Sequence, residues 1–263
     1  RDWSSDVCSS DLNGILENHS GYFLPKSEDI INDSSIISSI LEESWKDLHI
    51  SALATGPVNY ESAYDQAIGN FVSKINRIPL TFDFDRNHES RLLLHHACGG
   101  GFDGISAMLE FGLDPGLVEL IRVRRASLPE TFFGLHIRHT DYRTDYLSTF
   151  RELSKQEVFA VKRVPIYLAT DNPVVLEAAR AIFKCEVYNH CHLVEVERSL
   201  HTTQRLPKPV VNTDCICDLF TLAQAKGFYA PKMVQGSYSG FSVLAAQWRE
   251  RPSELSELLG LPA

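Results

Sequence analysis

Short apolar segments that alternate with helical ones constrain the fold of this chain more than any other feature of its sequence. The strand-like segments are IPLTFDF (residues 78–84), RLLLHHA (91–97), TFFGLHIR (131–138), VPIYLAT (164–170) and CEVYNH (185–190). The helical ones are YESAYDQAIGNFVSKI (60–75), PGLVELIRVRRASL (115–128), PVVLEAARAIF (173–183), CICDLFTLAQAKG (215–227) and SGFSVLAAQWRE (239–250). This alternation predicts βαβ units around a parallel sheet, and therefore an α/β protein.

Composition argues against two classes of binding partner, nucleic acids and anionic membranes. The 263 residues carry a formal net charge of -9, and an acidic chain is a poor match for nucleic acid or an anionic membrane. The sequence has no run of about 18 apolar residues, so we expect no membrane span. Because six cysteines in a chain of this length do not make a disulfide framework, we expect reduced thiols and a cytoplasmic location.

The first twelve residues, RDWSSDVCSSDL, resemble the translation of a sequencing adapter. We therefore interpret residues 1–12 as an artefactual leader and expect the natural start of the protein to be missing; a Ser-rich natural tail is the alternative. The remaining chain is predicted to form a partial N-terminal domain over residues 13–115 and a C-terminal domain over residues 116–263.

Ionisable residues gather where the predicted strand 131–138 ends, in the stretch HIRHTDY. Ligands of open α/β sheets bind outside the carboxyl ends of the strands, so His136, Arg138 and Asp141 are expected at the ligand edge. The guanidinium of Arg138 has a rigid fork of donors that suits a phosphate. A strand that ends in an ordinary, salt-bridged loop is the alternative interpretation.

Two helix starts are candidates for the same edge. Asp171 follows the predicted strand 164–170, where it can face the ligand edge and, like Asn172, can also cap the next helix. Ser239 lies among small residues before a helix, where exposed N–H groups commonly bind an anion. Plain capping of the helix is the alternative for Ser239.

Three further patterns are weaker. Asp214 and Asp218 lie four residues apart on a helix, which by itself favours a solvated acidic face. Gly99, Gly101 and Gly104 satisfy G-x-G-x-x-G without the full βαβ context of a dinucleotide site. The cysteines and histidines near residues 185–192 and 215–217 lack the C-x₂-C spacing typical of zinc sites, so no metal site is predicted.

Taken in order, GLHIRHTDY, YLATDNPVVLEAA, CDLFTLAQAKGFYAP and SGFSVLA resemble the motifs of the GDP-fucose-dependent fucosyltransferases of the α1,6 and α1,2 type, including their nodulation relatives. HACGGG resembles that family's Gly-rich loop, and the resemblance covers about residues 91–250. It implies a GT-B-like fold of two Rossmann-like domains, the N-terminal, acceptor-side one truncated and the C-terminal one binding the nucleotide sugar. It also implies an inverting enzyme that uses neither metal nor cofactor.

The resemblance assigns roles to five residues. Arg138 matches the arginine that binds the diphosphate, and Ser239 matches the region that touches the β-phosphate. His136 and Asp218 match positions that hold guanine, whose N1–H and N2–H₂ donors suit a carboxylate. Asp171 matches an aspartate that lines the site.

The sequence departs from the family pattern around the expected catalytic base. His139 stands where several members have a second arginine, and Tyr142 where a lysine can follow; Arg143 is the nearby cation that can compensate. The base is expected at Asp145, with Asp141 as the second candidate. Either carboxylate has to reach the acceptor hydroxyl within about 3 Å or through one water.

Three hypotheses about function result, in this order. The first is a transferase that moves fucose from GDP-fucose to a glycan hydroxyl, with the nucleotide sugar and the glycan acceptor as its partners. The second is a catalytically inactive relative that binds a nucleotide or a glycan. The third is an NAD-dependent oxidoreductase that uses the Gly-rich loop.

Overall fold

The computed structural model of the chain describes residues 22–26, 48–50, 62–65, 70–73, 92–94, 105, 108–140, 143–195, 205–234, 236 and 238–261. The backbone clusters into two compact units, residues 1–100 and residues 101–263. The division at residues 115 and 116 into an acceptor-side and a nucleotide-sugar-binding domain stays a prediction.

The first unit contains short strands: β1 Phe23–Pro25, β2 Leu48–Ile50, β3 Ser62–Asp65, β4 Asn70–Ser73 and β5 Leu92–Leu94. β2 and β5 pair in parallel, and β3 and β4 pair antiparallel. β5 confirms the middle of the predicted strand 91–97. The predicted strand 78–84 and the Gly-rich loop lie outside the described residues.

The helix predicted over residues 60–75 is wrong where the structure describes it, because β3 and β4 form a hairpin there. Tyr64 lies opposite Phe71 in the register of that hairpin. Aromatic and β-branched residues such as Tyr64, Phe71 and Val72 favour strands, and Gly69 between the strands is unfavourable inside a helix. The apolar spacing of this segment fits both periods, and strand pairing decides between them.

The second unit contains the strands β6 Phe111–Leu113, β7 Phe133–Ile137, β8 Ile166–Thr170, β9 Val187–Tyr188 and β10 Gly227–Tyr229. Its helices are α1 Pro115–Ala126, α2 Tyr146–Leu153, α3 Glu157–Ala160, α4 Pro173–Ile182, α5 Lys208–Ala223, α6 Gly240–Arg249 and α7 Pro252–Leu259. Four of the strands form an all-parallel sheet in the order β10-β7-β8-β9. The predicted α/β class with a parallel sheet is confirmed.

Helix α5 begins at Lys208, ahead of the predicted start at residue 215. Pro207 occupies the N-cap and Pro209 lies in the first turn. Proline is well suited to these positions because the first N–H groups of a helix have no intrahelical partner. The two prolines therefore mark the start of this helix.

Residue alternation along β7 separates a core face from a site face. Leu135 and Ile137 pack with Phe150 of α2 and Val175 of α4 in the main hydrophobic core. Gly134 faces the other side, where an added Cβ would lie 3.0 Å from the Cβ of Ala225. Glycine thus permits the close approach of the segment that ends α5.

The sheet has a topological switch point between β7 and β10. The chain leaves β7 for α2, which packs on one face, and leaves β10 for α6, which contacts His136 on the other face. Crevices for ligands form at such points, outside the carboxyl ends of the strands. The fold therefore places a candidate site at the end of β7.

Candidate functional site

His136 lies between the sheet and α6. Its Nδ1 is 2.6 Å from the Oγ of Ser242, and its ring centre is 4.8 Å from that of Phe241. Burial, and then the positive charge of Arg138, lower the pKa of His136 to about 3. The imidazole is therefore neutral near pH 7, so it can offer a donor or an acceptor without adding charge.

The peptide bond between Arg138 and His139 is held at both ends. Its carbonyl oxygen accepts a hydrogen bond from Thr144 Oγ1 at 2.6 Å, and its N–H donates to Asp171 Oδ1 at 2.7 Å. Asp171 Oδ2 accepts from Thr140 Oγ1 at 2.7 Å. Thr140 and Thr144 are buried, so the segment that begins at Arg138 is braced from within the protein.

Asn172, and not Asp171, caps α4. Its Oδ1 accepts from the N–H of Val174 at 2.9 Å, whereas the carboxylate of Asp171 binds the segment after β7. Asp171 thus lies at the expected strand end. Its contact with a donor substrate stays a prediction.

Ser239 is buried at the N-cap position of α6, with 3% of its surface exposed. It makes no side-chain capping bond, and within the described part of the chain its Oγ has no hydrogen-bond partner. Buried hydroxyls are normally paired. An unpaired hydroxyl beside the N–H groups and positive dipole end of a helix is suited to an anion.

Four residues lie at the carboxyl end of β7 or in the first turn of α6, and we call them the sheet-edge site: His136, Arg138, Ser239 and Ser242. Ser242 contacts His136 directly. Ser239 precedes Ser242 by about one helical turn, and Arg138 follows His136 at the end of β7. The site therefore combines a cation, a neutral imidazole and a helix N-terminus.

Asp214 and Asp218 are buried, each with 5% of its surface exposed. The prediction of a solvated acidic face is wrong, because α5 packs against β7, β8, α1 and α6. Asp218 Oδ1 accepts from the Tyr167 hydroxyl at 2.5 Å and Oδ2 from Cys191 Sγ at 3.0 Å. A carboxylate in such a position needs partners, and the surrounding elements supply them.

Asp214 is paired with a cation from α1. Its Oδ1 accepts from Arg124 Nη2 at 2.5 Å, and its Oδ2 lies 2.7 Å from the backbone nitrogen and 2.9 Å from the Nδ1 of His192. We call the two aspartates and their donors the α5 carboxylate cluster. Its donors are Arg124, Tyr167, Cys191 and His192.

Burial is the main influence on the pKa values of Asp218 and of its two donors. It raises the pKa of Asp218 to about 6, although the hydrogen bonds from Cys191 and Tyr167 act in the opposite direction. Burial, followed by the charge of Asp218, also raises the pKa of Tyr167 and of Cys191 well above their ordinary values. Both groups therefore keep their protons and act as donors near pH 7.

The two residues predicted to hold guanine have different neighbours. His136 contacts α6, and Asp218 contacts Tyr167 and Cys191. Among the described contacts, none joins His136 to Asp218. Their shared role in base recognition stays a prediction.

Asp145, the expected base, is exposed and caps α2 by accepting from the N–H of Ser148 at 3.2 Å. Asp141, the second candidate, lies outside the described residues. His139 is bound into the same segment, because its Nδ1 accepts from the N–H of Thr144 at 3.3 Å and its ring packs 4.6 Å from that of Tyr146. His139, which stands in place of a second arginine, is thus held by contacts with Thr144 and Tyr146.

Sequence reasoning missed Tyr167, Thr144 and Arg124. Tyr167 left a usable signal, because a tyrosine inside an apolar strand needs a partner for its hydroxyl. The signal for Arg124 in the sequence is weaker, because this residue lies on the helix before β7 and its partner, Asp214, is ninety residues away. No local pattern marks Thr144.

In the described ranges, no group of three or more His, Cys, Asp or Glu residues could hold a metal ion. None of the helices in those ranges combines the length and hydropathy that a membrane span requires. Independence from metals stays a prediction.

Comparison with known proteins gives a distant structural likeness. No family model and no curated protein matches this chain. Its structure is similar to that of NodZ alpha-1,6-fucosyltransferase co-crystallized with GDP, with 17% sequence identity and a TM-score of 0.39. The match covers 61% of this chain and 52% of the other, or about half of that enzyme. A likeness this distant says nothing about activity, so function has to be inferred from the site.

Proposed function

We propose that this protein is a GT-B-like, inverting, metal-independent glycosyltransferase that transfers fucose from GDP-fucose to a glycan hydroxyl. The observation that carries the proposal is the sheet-edge site. A braced arginine follows β7, and at the N-terminus of α6 lies a buried hydroxyl that has no partner among the described residues. Both lie by the switch point, which is where open α/β sheets bind ligands.

The diphosphate of the donor fits this site by charge. When the bond to the sugar breaks, negative charge grows on the β-phosphate, and fixed positive groups stabilise it. Arg138 supplies charge-assisted hydrogen bonds. Ser239 and the first N–H groups of α6 supply further donors.

Guanine recognition is assigned to His136 and Asp218. A carboxylate oxygen can accept more than one hydrogen bond, so the bonds from Tyr167 and Cys191 leave Asp218 capacity for N1–H and N2–H₂. With a pKa of about 6, Asp218 is mostly ionised near pH 7. Because Ser242 engages the Nδ1 of His136, the Nε2 atom of that ring is assigned to the ligand.

The chemical step follows from an inverting displacement. The acceptor hydroxyl oxygen forms a bond to C1 of fucose as the bond from C1 to the β-phosphate oxygen breaks, and GDP leaves with the electron pair. A carboxylate takes the hydroxyl proton. Asp145, exposed at the start of α2, is assigned this role, with Asp141 as the second candidate.

A second candidate function is a nucleotide-binding relative without transfer activity. The observation that favours it is the environment of His139, whose ring packs on Tyr146 where a second cation would otherwise stand. Binding of GDP together with no release of fucose from GDP-fucose, in the presence of a glycan acceptor mixture, would support this candidate over the transferase.

The proposal is tested by calorimetric titration of GDP into the wild type and Arg138→Ala, with NAD as the control ligand. Loss of a charge-assisted contact weakens binding by about 1.5–3 kcal/mol, or roughly ten- to a hundredfold. Arg180→Ala, at an exposed arginine of α4, is the matched control and should bind like the wild type. A folded wild type that binds GDP no better than NAD would overturn the proposal.

A further inference from the structure

The bracing of the Arg138–His139 peptide bond has a geometric consequence. β7 pairs with β8 up to Ile137, which lies opposite Thr170. Arg138 is the first residue beyond that pairing, where strand hydrogen bonds no longer fix the backbone. Thr144 binds the carbonyl of the next peptide unit, and Asp171 binds its N–H.

Because a peptide unit is planar, holding both its carbonyl and its N–H fixes the orientation of the whole plane. That orientation sets ψ of Arg138 and φ of His139, and therefore the direction in which the Arg138 side chain leaves the backbone. Thr144 is itself buried, with 4% of its surface exposed. Its backbone N–H also holds the ring of His139, so it touches both residues of the peptide bond.

We propose that Thr144 is a positioning residue for Arg138, acting from the carbonyl side of a two-point clamp that Asp171 completes from the N–H side. This inference rests on the proposed function, because it concerns how Arg138 is presented to a diphosphate. An arginine whose backbone is fixed in advance loses less conformational freedom when the ligand binds. The hydroxyl of Thr144 therefore contributes to affinity without touching the ligand.

The chain offers a matched control for a purely structural role. Thr149 Oγ1 donates to the carbonyl of Asp145 at 2.9 Å, which is the same type of bond between a threonine hydroxyl and a backbone carbonyl. It lies in the first turn of α2 and does not involve the Arg138 peptide. Thr149→Val should therefore leave GDP affinity unchanged.

The test compares GDP binding by Thr144→Val, Thr144→Ser and Thr144→Ala. Valine and alanine remove the donor, and we expect each to weaken GDP binding by about tenfold. Serine keeps the hydroxyl and should restore affinity close to that of the wild type. Alanine makes the result independent of how a valine methyl fits the buried position, and thermal melting confirms that each variant is folded.

A double-mutant cycle separates positioning from general loosening of the site. If Thr144 acts through Arg138, then Thr144→Val in the Arg138→Ala background causes no further loss of GDP affinity. An equal loss in both backgrounds, an equal loss in Thr149→Val, or wild-type affinity in both Thr144→Val and Thr144→Ala would overturn the inference alone. Absence of GDP binding by the folded wild type would overturn the proposed function, and the inference with it.

Discussion

The sheet-edge site and the α5 carboxylate cluster lie in the same unit of the chain, but the carboxylates of the cluster and the hydroxyl of Ser239 differ in their hydrogen bonding. In the cluster, all four carboxylate oxygens of Asp214 and Asp218 accept hydrogen bonds from neighbouring elements. At the sheet-edge site, the buried Oγ of Ser239 has no partner in the described part of the chain. There, too, His136 is held neutral next to the cation Arg138.

The difference concerns the carboxylates and the hydroxyl only, because within the described residues Nη1 of Arg124 in the cluster is also buried without a partner. A buried polar group without a partner costs about 1–3 kcal/mol. Paired carboxylates tie α1, β8 and the segment after β9 to α5, so the cluster stabilises the packing of those elements. A hydroxyl that is unpaired within the described part of the chain is retained against this cost, which is what the proposed binding of an anion at the N-terminus of α6 predicts.

The largest expected effect comes from breaking the cluster with Arg124→Ala. The side chains of Arg124 and Asp214 are only 10% and 8% exposed, so the variant leaves a buried carboxylate without its cation. Loss of one partner of a buried pair lowers the free energy of unfolding by about 3–5 kcal/mol. Urea unfolding measures the loss.

Lys162→Ala is the control for that variant. Lys162 pairs with Glu157 at 3.1 Å, but the two side chains are 63% and 70% exposed. Exposed pairs contribute roughly 0–1 kcal/mol. Equal urea midpoints for the two variants would mean that the cluster does not hold α1 to α5.

Acid should act on the two regions with opposite signs. Burial lowers the pKa of His136 from 6.5 to about 3, so its contribution to stability is present above pH 6.5 and is lost as the pH falls. The loss reaches about 2 kcal/mol near pH 5. Burial raises the pKa of Asp218 from 3.8 to about 6, so its contribution is present in full below pH 3.8 and is lost as the pH rises through about 6.

Unfolding curves of His136→Gln and Asp218→Asn between about pH 4 and pH 7 check both signs. Relative to the wild type, His136→Gln should gain stability as the pH falls, because it removes the acid-sensitive imidazole. Asp218→Asn should lose stability over the same range, because it removes the acid-side gain. Curves that stay parallel to that of the wild type would show that neither group titrates as the structure indicates.

Local periodicity was enough to predict much of the second unit. β7, β8, α1, α4 and α6 all match segments in which apolar spacing and helix-start residues agree. The helix predicted over residues 60–75 was wrong because the apolar spacing of that segment fits both the helical and the strand period. The pairing of β3 with β4 decides between the two. Periodicity is a property of a single segment, so it does not predict which segments pair.

The same restriction to single segments determines which features of the site could be predicted. His136, Arg138 and Ser239 could be placed at a strand end and a helix start because these are local features, and their role toward a ligand stays a prediction. The buried state of Asp218 could not be predicted, because it depends on Tyr167 and Cys191, which lie on other elements. The clamp by Thr144 depends on a turn whose geometry no local pattern specifies.

The smallest expected effect is the sharpest test of the sheet-edge site. Ser239→Ala removes a buried hydroxyl that has no partner within the described residues, so the free energy of unfolding should rise by about 1 kcal/mol. The same change removes a donor to the diphosphate, so GDP affinity should fall by roughly tenfold. Ser148→Ala, at an exposed serine of α2, should alter neither quantity.

The critical outcome is a higher free energy of unfolding together with a lower GDP affinity. A group that is kept for binding at the expense of stability produces this combination. A Ser239→Ala variant that is less stable than the wild type would mean that the hydroxyl is paired in solution and that Ser239 belongs to the fold, like Asp214. A variant that is more stable and binds GDP as well as the wild type would remove Ser239 from the site. In that case Arg138 would have to hold the diphosphate with the backbone N–H groups of α6 alone.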